Sequence, residues 1–142
     1  MNGVLEAPTL SDVRAAAQRL EGHALRTPLV RYEAETEIWL KLENLQPIGS
    51  SKLRGAPYRL RTLGASRLAD GVFTASAGNM AQGVAYAARL LGVKASVVVP
   101  DTAPAAKLEA IERLGAAVIK VPYEEWWDTM RSRQRGGMRG VF

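Results

Sequence analysis

The sequence predicts an α/β fold built on a parallel sheet, and three observations carry that expectation. Short apolar runs at 72–75, 95–99 and 117–121 alternate with helical stretches at about 80–91 and 104–114, so strand starts fall a little over twenty residues apart. That interval fits parallel strands joined by right-handed helical crossovers. Gly92 and Gly115 stand where each helix should stop, and Pro104 stands near a first turn, where a helix tolerates proline. Finally, 142 residues suffice for one domain of ordinary size, able to bury about two-thirds of its unfolded surface without metal or disulfide staples.

The elements follow in order. Thr9 and Asp12 have capping-box spacing, Val13, Ala16, Ala17 and Leu20 recur at helical intervals, and Gly22 ends the helix. After an extended Arg26-Thr27-Pro28-Leu29 segment, Ile38, Leu40 and Leu42 alternate with Trp39, Lys41 and Glu43, the period of a strand with one buried face. Pro47, Gly49, Ser50 and Ser51 form a loop, and residues 52–63 read as a helix ended by Gly64. The β-α-β-α-β core occupies about 71–121. A last helix puts Tyr123, Trp126, Trp127 and Met130 on one face, a stripe most simply read as packing. Gly140-Val141-Phe142 reads as the start of a further strand.

Composition narrows function. There is no cysteine and one histidine, His23, which removes thiol nucleophiles and Cys-based zinc sites and disfavours a Ser-His-Asp triad; no metal site is expected. Apolar runs are far shorter than the roughly 20 residues that span a bilayer, and MNGVLEAP lacks a secretory pattern, so a cytoplasmic protein is expected. The net charge of +5 resides mostly in Arg131, Arg133, Arg135 and Arg139, which leaves residues 1–130 near neutrality. Nucleic acid is therefore not an expected partner of the body, although the Arg-Gly tail has the composition of an RNA-binding segment.

Two local features point to chemistry. Thr74-Ala75-Ser76-Ala77-Gly78-Asn79 leaves a parallel strand and enters a helix, where free N–H groups and the dipole favour an anion. Gly78 and Gly83 have P-loop spacing, yet Val84 and Ala85 replace the Lys and Ser/Thr that would hold phosphate and magnesium. The other feature is Lys52, an amine that could form a Schiff base with a carbonyl if its charge were suppressed. A tight strand-to-helix turn and a solvated surface lysine are the plain alternatives.

The string Lys41-Leu42-Glu43-Asn44-Leu45-Gln46-Pro47-Ile48-Gly49-Ser50-Ser51-Lys52-Leu53-Arg54-Gly55-Ala56 joins these features. With Thr74-Ala75-Ser76-Ala77-Gly78-Asn79-Met80-Ala81-Gln82-Gly83-Val84-Ala85, it closely resembles the serine/threonine dehydratase (threonine ammonia-lyase) family of fold-type II pyridoxal-phosphate enzymes. The resemblance implies a tryptophan synthase β-like fold, incomplete here, with helices on both faces of the sheet. Residues 1–51 would belong to a larger domain, and 52–142 to a smaller α/β domain truncated at its C-terminal end. It further implies pyridoxal 5'-phosphate as cofactor and Lys52 as the lysine that holds it as a Schiff base and moves the substrate Cα proton. Ser76, Ala77, Gly78 and Asn79 would grip the substrate carboxylate, with Asn79 also meeting the cofactor's ring hydroxyl.

The implied reaction is β-elimination of L-threonine or L-serine to a 2-oxo acid and ammonia, in an enzyme expected to be a homodimer or larger. Ser51 stands where the family usually has Phe, and Met80 where His commonly follows the Asn. Ala77 replaces the second serine of racemising relatives, which favours elimination. The chain is shorter than the family's catalytic module, whose phosphate loop and pyridine-nitrogen contact lie further downstream. The expectation is therefore an N-terminal fragment, inactive or nearly so alone. Alternatives are an eliminase for another β-hydroxy amino acid, such as a hydroxyaspartate or phenylserine, a non-catalytic relative, or an RNA-binding module.

Overall fold

The computed structural model describes residues 6–142. Helix α1 (Leu10–Arg19) starts on the expected capping box: the Asp12 N–H donates to Thr9 Oγ1 at 3.2 Å, and the Thr9 N–H donates to the Asp12 carboxylate at 2.8 Å. Strands β1 (Leu29–Arg31) and β2 (Trp39–Lys41) pair antiparallel, Val30 opposite Leu40. Here the structure corrects the sequence reading, because the strand is three residues long and Ile38, Trp39 and Leu40 are all exposed, Trp39 at 54 %. A period of two marks a capacity for burial, but burial needs a second layer, and among the described residues none packs on this hairpin.

A 3-10 turn over Glu43–Leu45 leads through the loop to α2 (Lys52–Leu63), which Gly64 ends at φ +79°, as expected. Leu53, Ala56, Pro57, Leu60 and Leu63 form its buried stripe at helical spacing. The α/β unit then runs β3 (Val72–Ala75), α3 (Asn79–Leu91), β4 (Ala95–Pro100), α4 (Ala105–Arg113), β5 (Ala117–Val121) and α5 (Tyr123–Ser132). The three strands are parallel in the order β3-β4-β5, with Phe73 beside Ser96 and Val97 beside Val118. Helix α4 begins one residue later than expected, with Pro104 as its N-cap residue, a position outside the helix where a missing N–H costs nothing.

The pleat of β4 divides the core. Val97 and Val99 face a cluster with Leu60 of α2, Ala85 of α3 and Leu108 and Ile111 of α4, whereas Val98 faces Ala75, Val121, Trp126 and Met130. Helices therefore cover both faces, α2, α3 and α4 on one side and α5 on the other. The aromatic stripe divides as well: Trp126 and Met130 pack on the sheet, while Tyr123 and Trp127 stay exposed and stack on each other with planes 7° apart.

Residues 140–142 return to the far side of β3, as a further strand should. The Val141 N–H donates to the Gly71 carbonyl at 3.1 Å, the Phe73 N–H donates to the Val141 carbonyl at 2.8 Å, and Val141 pairs parallel with Val72. Gly140, at φ +111°, makes the approach possible, since a β-carbon there would lie 2.6 Å from the Gly71 carbonyl oxygen. Among the described residues no helix is long and apolar enough to cross a membrane.

Candidate functional site

The return of Val141 gives the Ser76–Asn79 loop its position in the sheet. The chain steps from β3 to β4 to β5 in one direction and then comes back to the other side of β3. The carboxyl end of β3 therefore lies at a reversal of strand order, where open α/β sheets form their ligand crevices. At that end the Ser76 N–H donates to the Val98 carbonyl at 3.1 Å, which ties the start of the loop to β4. Ser76 Oγ then accepts the Gly78 N–H at 3.2 Å, so its side chain shapes the turn. Gly78 is the N-cap residue of α3, no side chain caps this helix, and its first turn has no acidic residue. The first-turn amides and the positive dipole end stay available to an anion. Asn79 is exposed as the first helical residue, and Ala77, half-buried, leans on the core.

Lys52 opens α2, and the structure brings it to α3. A β-carbon on Gly83 would sit 3.0 Å from the Lys52 carbonyl oxygen and 3.1 Å from its Cβ. The two helices thus approach closely at this point, where a β-carbon would force the Lys52 turn to move by a few tenths of an ångström. Gly83 lies one turn beyond Asn79 on the same side of α3, so the Lys52 turn borders the Asn79 face. The two weak sequence signals, a lysine and an anion-binding turn, meet across one glycine. Ser51, the N-cap residue of α2, makes no capping bond, and Met80 is 43 % exposed.

Sequence reasoning missed the residues that hold this turn from the other side. Arg54 grips Glu43 through two bonds of 2.8 Å, Nε to Oε2 and Nη2 to Oε1, and the Thr27 hydroxyl donates to the same carboxylate at 2.6 Å. Gln46, 3 % exposed, accepts the Leu25 N–H at 3.0 Å and donates to the Leu25 carbonyl at 2.9 Å. The Arg54 guanidinium holds the Glu43 carboxyl at about 2, with smaller help from Thr27 and Gln46 against the opposing effect of burial. A second cation, beside Lys52, in a helix first turn where the dipole disfavours positive charge is the one local signal that could have drawn attention to Arg54. For Gln46, a buried polar residue in a loop, there is none.

Other features resolve plainly. His23 pairs with Arg61, Nε2 to Nη2 at 2.5 Å. Arg135 bonds Glu125 at 2.7 and 3.0 Å, and Arg131 bonds Asp128 at 2.6 Å, so half of the basic tail sits in ion pairs. Among the described residues no group of three His, Cys, Asp or Glu is placed to hold a metal.

A lysine-bearing helix turn packed one turn beyond an uncapped helix N-terminus, at a sheet switch point, defines the class: an α/β protein whose strand-end crevice suits an anionic ligand. The particular family follows from comparison: residues 20–136 match the family model "Pyridoxal-phosphate dependent enzyme", and the chain belongs to that family. It is 43 % identical over 117 residues to the catabolic L-threonine dehydratase of Staphylococcus aureus (strain N315), covering 78 % of this chain and 34 % of that one. It is 44 % identical over 120 residues to the L-threo-3-hydroxyaspartate ammonia-lyase of a Pseudomonas species, covering 81 % of this chain and 38 % of that one. Among solved structures, maize serine racemase superposes with a TM-score of 0.83 at 29 % identity, over 96 % of this chain and 43 % of that one. Serine racemase from Dictyostelium discoideum does so with a TM-score of 0.76 at 37 % identity, over 87 % and 42 %. The chain spans little more than a third of the length of these curated relatives.

The residues fit one part of pyridoxal phosphate. Lys52 would supply the amine for its aldehyde, and Gly83 admits close approach of the two backbones there. The uncapped turn at Gly78 and Asn79 would suit a substrate carboxylate.

Proposed function

We propose that this chain carries the lysine-bearing and carboxylate-binding part of a serine/threonine dehydratase that uses pyridoxal phosphate. The observation that carries the reading is the contact of the Lys52 backbone with Gly83, one turn beyond Asn79. Bound pyridoxal phosphate supplies an electron sink for the electrons left at Cα. The chain's own residues do the rest. Lys52 holds the cofactor and then takes the proton from Cα. The loop of Ser76, Ala77, Gly78 and Asn79 orients the substrate carboxylate through the Ser76 hydroxyl, the Asn79 side chain and the main-chain amides that the turn leaves unbonded, and the Asn79 amide meets the ring hydroxyl. Ala77 has no proton to return from the opposite face, which favours loss of the β-hydroxyl over racemisation. The substrates favoured are L-threonine and L-serine, with a β-hydroxyaspartate second, on the strength of the 44 % identity to the Pseudomonas ammonia-lyase. The separate β1–β2 and β3–β5 sheets support assigning residues 1–51 and 52–142 to different domains.

The test incubates the chain with pyridoxal phosphate, reduces the imine with borohydride and maps the label over Lys41, Lys52, Lys94, Lys107 and Lys120. Label concentrated at Lys52, with a visible absorption band lost in Lys52→Ala, is expected. Even labelling of all five lysines would overturn the reading.

A further inference from the structure

Helix α2 begins in a way that should fray. Its N-cap residue Ser51 makes no capping bond, its first turn has no acidic residue, and Lys52 and Arg54 place two positive charges at its positive dipole end. What offsets this comes from outside the helix. The Glu43 carboxylate receives both arms of the Arg54 fork and the hydroxyl of Thr27, which is 4 % exposed. Arg54 Nη2 also donates to the Leu25 carbonyl at 2.8 Å, the atom that Gln46 holds as well. Lys41 donates to the Thr27 carbonyl. Three stretches of chain, at 25–27, 41–46 and the first turn of α2, are thereby tied at one point.

The geometry of the tie matters. Two residues along a helix is a rotation of about 200°, so Arg54 projects from the side of α2 away from Lys52. The Glu43 clasp grips the far side while Gly83 abuts the near side. Between them, the Lys52 N–H donates to Ser50 Oγ at 3.2 Å, with Ser50 6 % exposed, and Leu53 is fully buried. The first turn has little room to slide or unwind.

We infer that Glu43 and Arg54 are positioning residues for Lys52, fixing the first turn of α2 so that the amine is presented to the cofactor in one place. A bidentate guanidinium–carboxylate pair suits this task because it sets direction as well as distance. The inference rests on the role proposed above for Lys52, and its test separates the two.

Glu43→Gln and Arg54→Lys are compared with the unaltered chain by two measurements: the share of borohydride-trapped pyridoxal phosphate on Lys52 relative to the other four lysines, and amide hydrogen exchange along α2. In Glu43→Gln the Lys52 share should fall toward that of the other lysines. Exchange at Leu53 and Arg54 should accelerate about tenfold or more, with Leu60 and Leu63 little changed. Arg54→Lys keeps the charge and loses the fork, so an intermediate loss is expected; it also serves as the deciding variant if Glu43→Gln does not fold. A folded variant with the original Lys52 share and first-turn exchange would overturn the inference. Equal acceleration at both ends of α2 would also overturn it, by showing general stabilisation only. If the unaltered chain has no preference for Lys52, the functional reading fails, while the exchange comparison still decides whether the clasp fixes the turn.

Discussion

The contact between Gly83 and Lys52 can be tested with one methyl group. Within a helix, Gly→Ala normally stabilises by about 0.8–1 kcal/mol through backbone entropy. At Gly83 the added carbon would meet the Lys52 carbonyl oxygen at 3.0 Å, its Cβ at 3.1 Å and its carbonyl carbon at 3.2 Å. Two of these atoms are backbone and the third is attached to it, so relief requires a shift of α2 by a few tenths of an ångström. Overpacking of this kind costs about 1–3 kcal/mol, which outweighs the propensity gain and leaves Gly83→Ala roughly 0–2 kcal/mol less stable. Gly55 supplies the control: it lies in α2 with nothing within 4 Å of where a β-carbon would sit, so Gly55→Ala should gain about 0.8 kcal/mol. Chemical denaturation of both variants isolates the packing penalty as their difference. Borohydride trapping then reports whether Lys52 loses its share of label in Gly83→Ala alone. Equal stabilisation by the two substitutions, with Lys52 labelling intact, would refute the claim that this glycine sets the distance between α2 and α3.

Two further outcomes follow from the same structure. The Glu43 carboxyl is held at about 2, below its ordinary 4.5, so its contribution is fully present above about pH 4.5 and fades as the pH falls toward 2. Glu43→Gln should therefore lower the melting temperature near neutrality, by an amount equivalent to about 2 kcal/mol, and the gap should narrow on acidification; a pH-independent gap would contradict the ion-pair account. The Trp126 indole N–H is buried with no hydrogen-bond partner, although its ring packs on Val98 and Val121. Trp126→Phe removes that donor and keeps an aromatic ring, so denaturation should place it within about 1 kcal/mol of the unaltered chain; a loss above about 2 kcal/mol would show that the indole nitrogen is bonded.

The α/β unit is legible in the sequence because local rules govern it. Apolar runs, helical spacing, Gly64 and Gly92 at helix ends and the Thr9–Asp12 capping box act within a few residues, and the helices and parallel strands form within a residue or two of their expected bounds, whereas strand β1 and the 3-10 turns at 43–45 and 65–68 are not among the expected elements. Lys52 and the Ser76–Asn79 turn stand out in the sequence as candidates, and the structure places the Lys52 turn one helical turn beyond Asn79. The alternation at 38–42 does mark a strand, yet Ile38 and Leu40 of the face expected to be buried are exposed and Leu42 only half-buried, because burial depends on a partner layer that no local pattern encodes.

Sequence by itself thus determined the elements, their order, and the residues with chemistry to offer. Tertiary structure alone decided what those residues meet. Lys52 and Gly83 are thirty-one positions apart, Glu43 and Arg54 eleven, Leu25 and Gln46 twenty-one, and Val141 lies beside Val72. The physical reason is that a close approach, a bidentate ion pair or a strand reversal depends on where separate segments are carried by packing. The result here is a lysine turn set between a glycine on one helix and a carboxylate clasp on the other side.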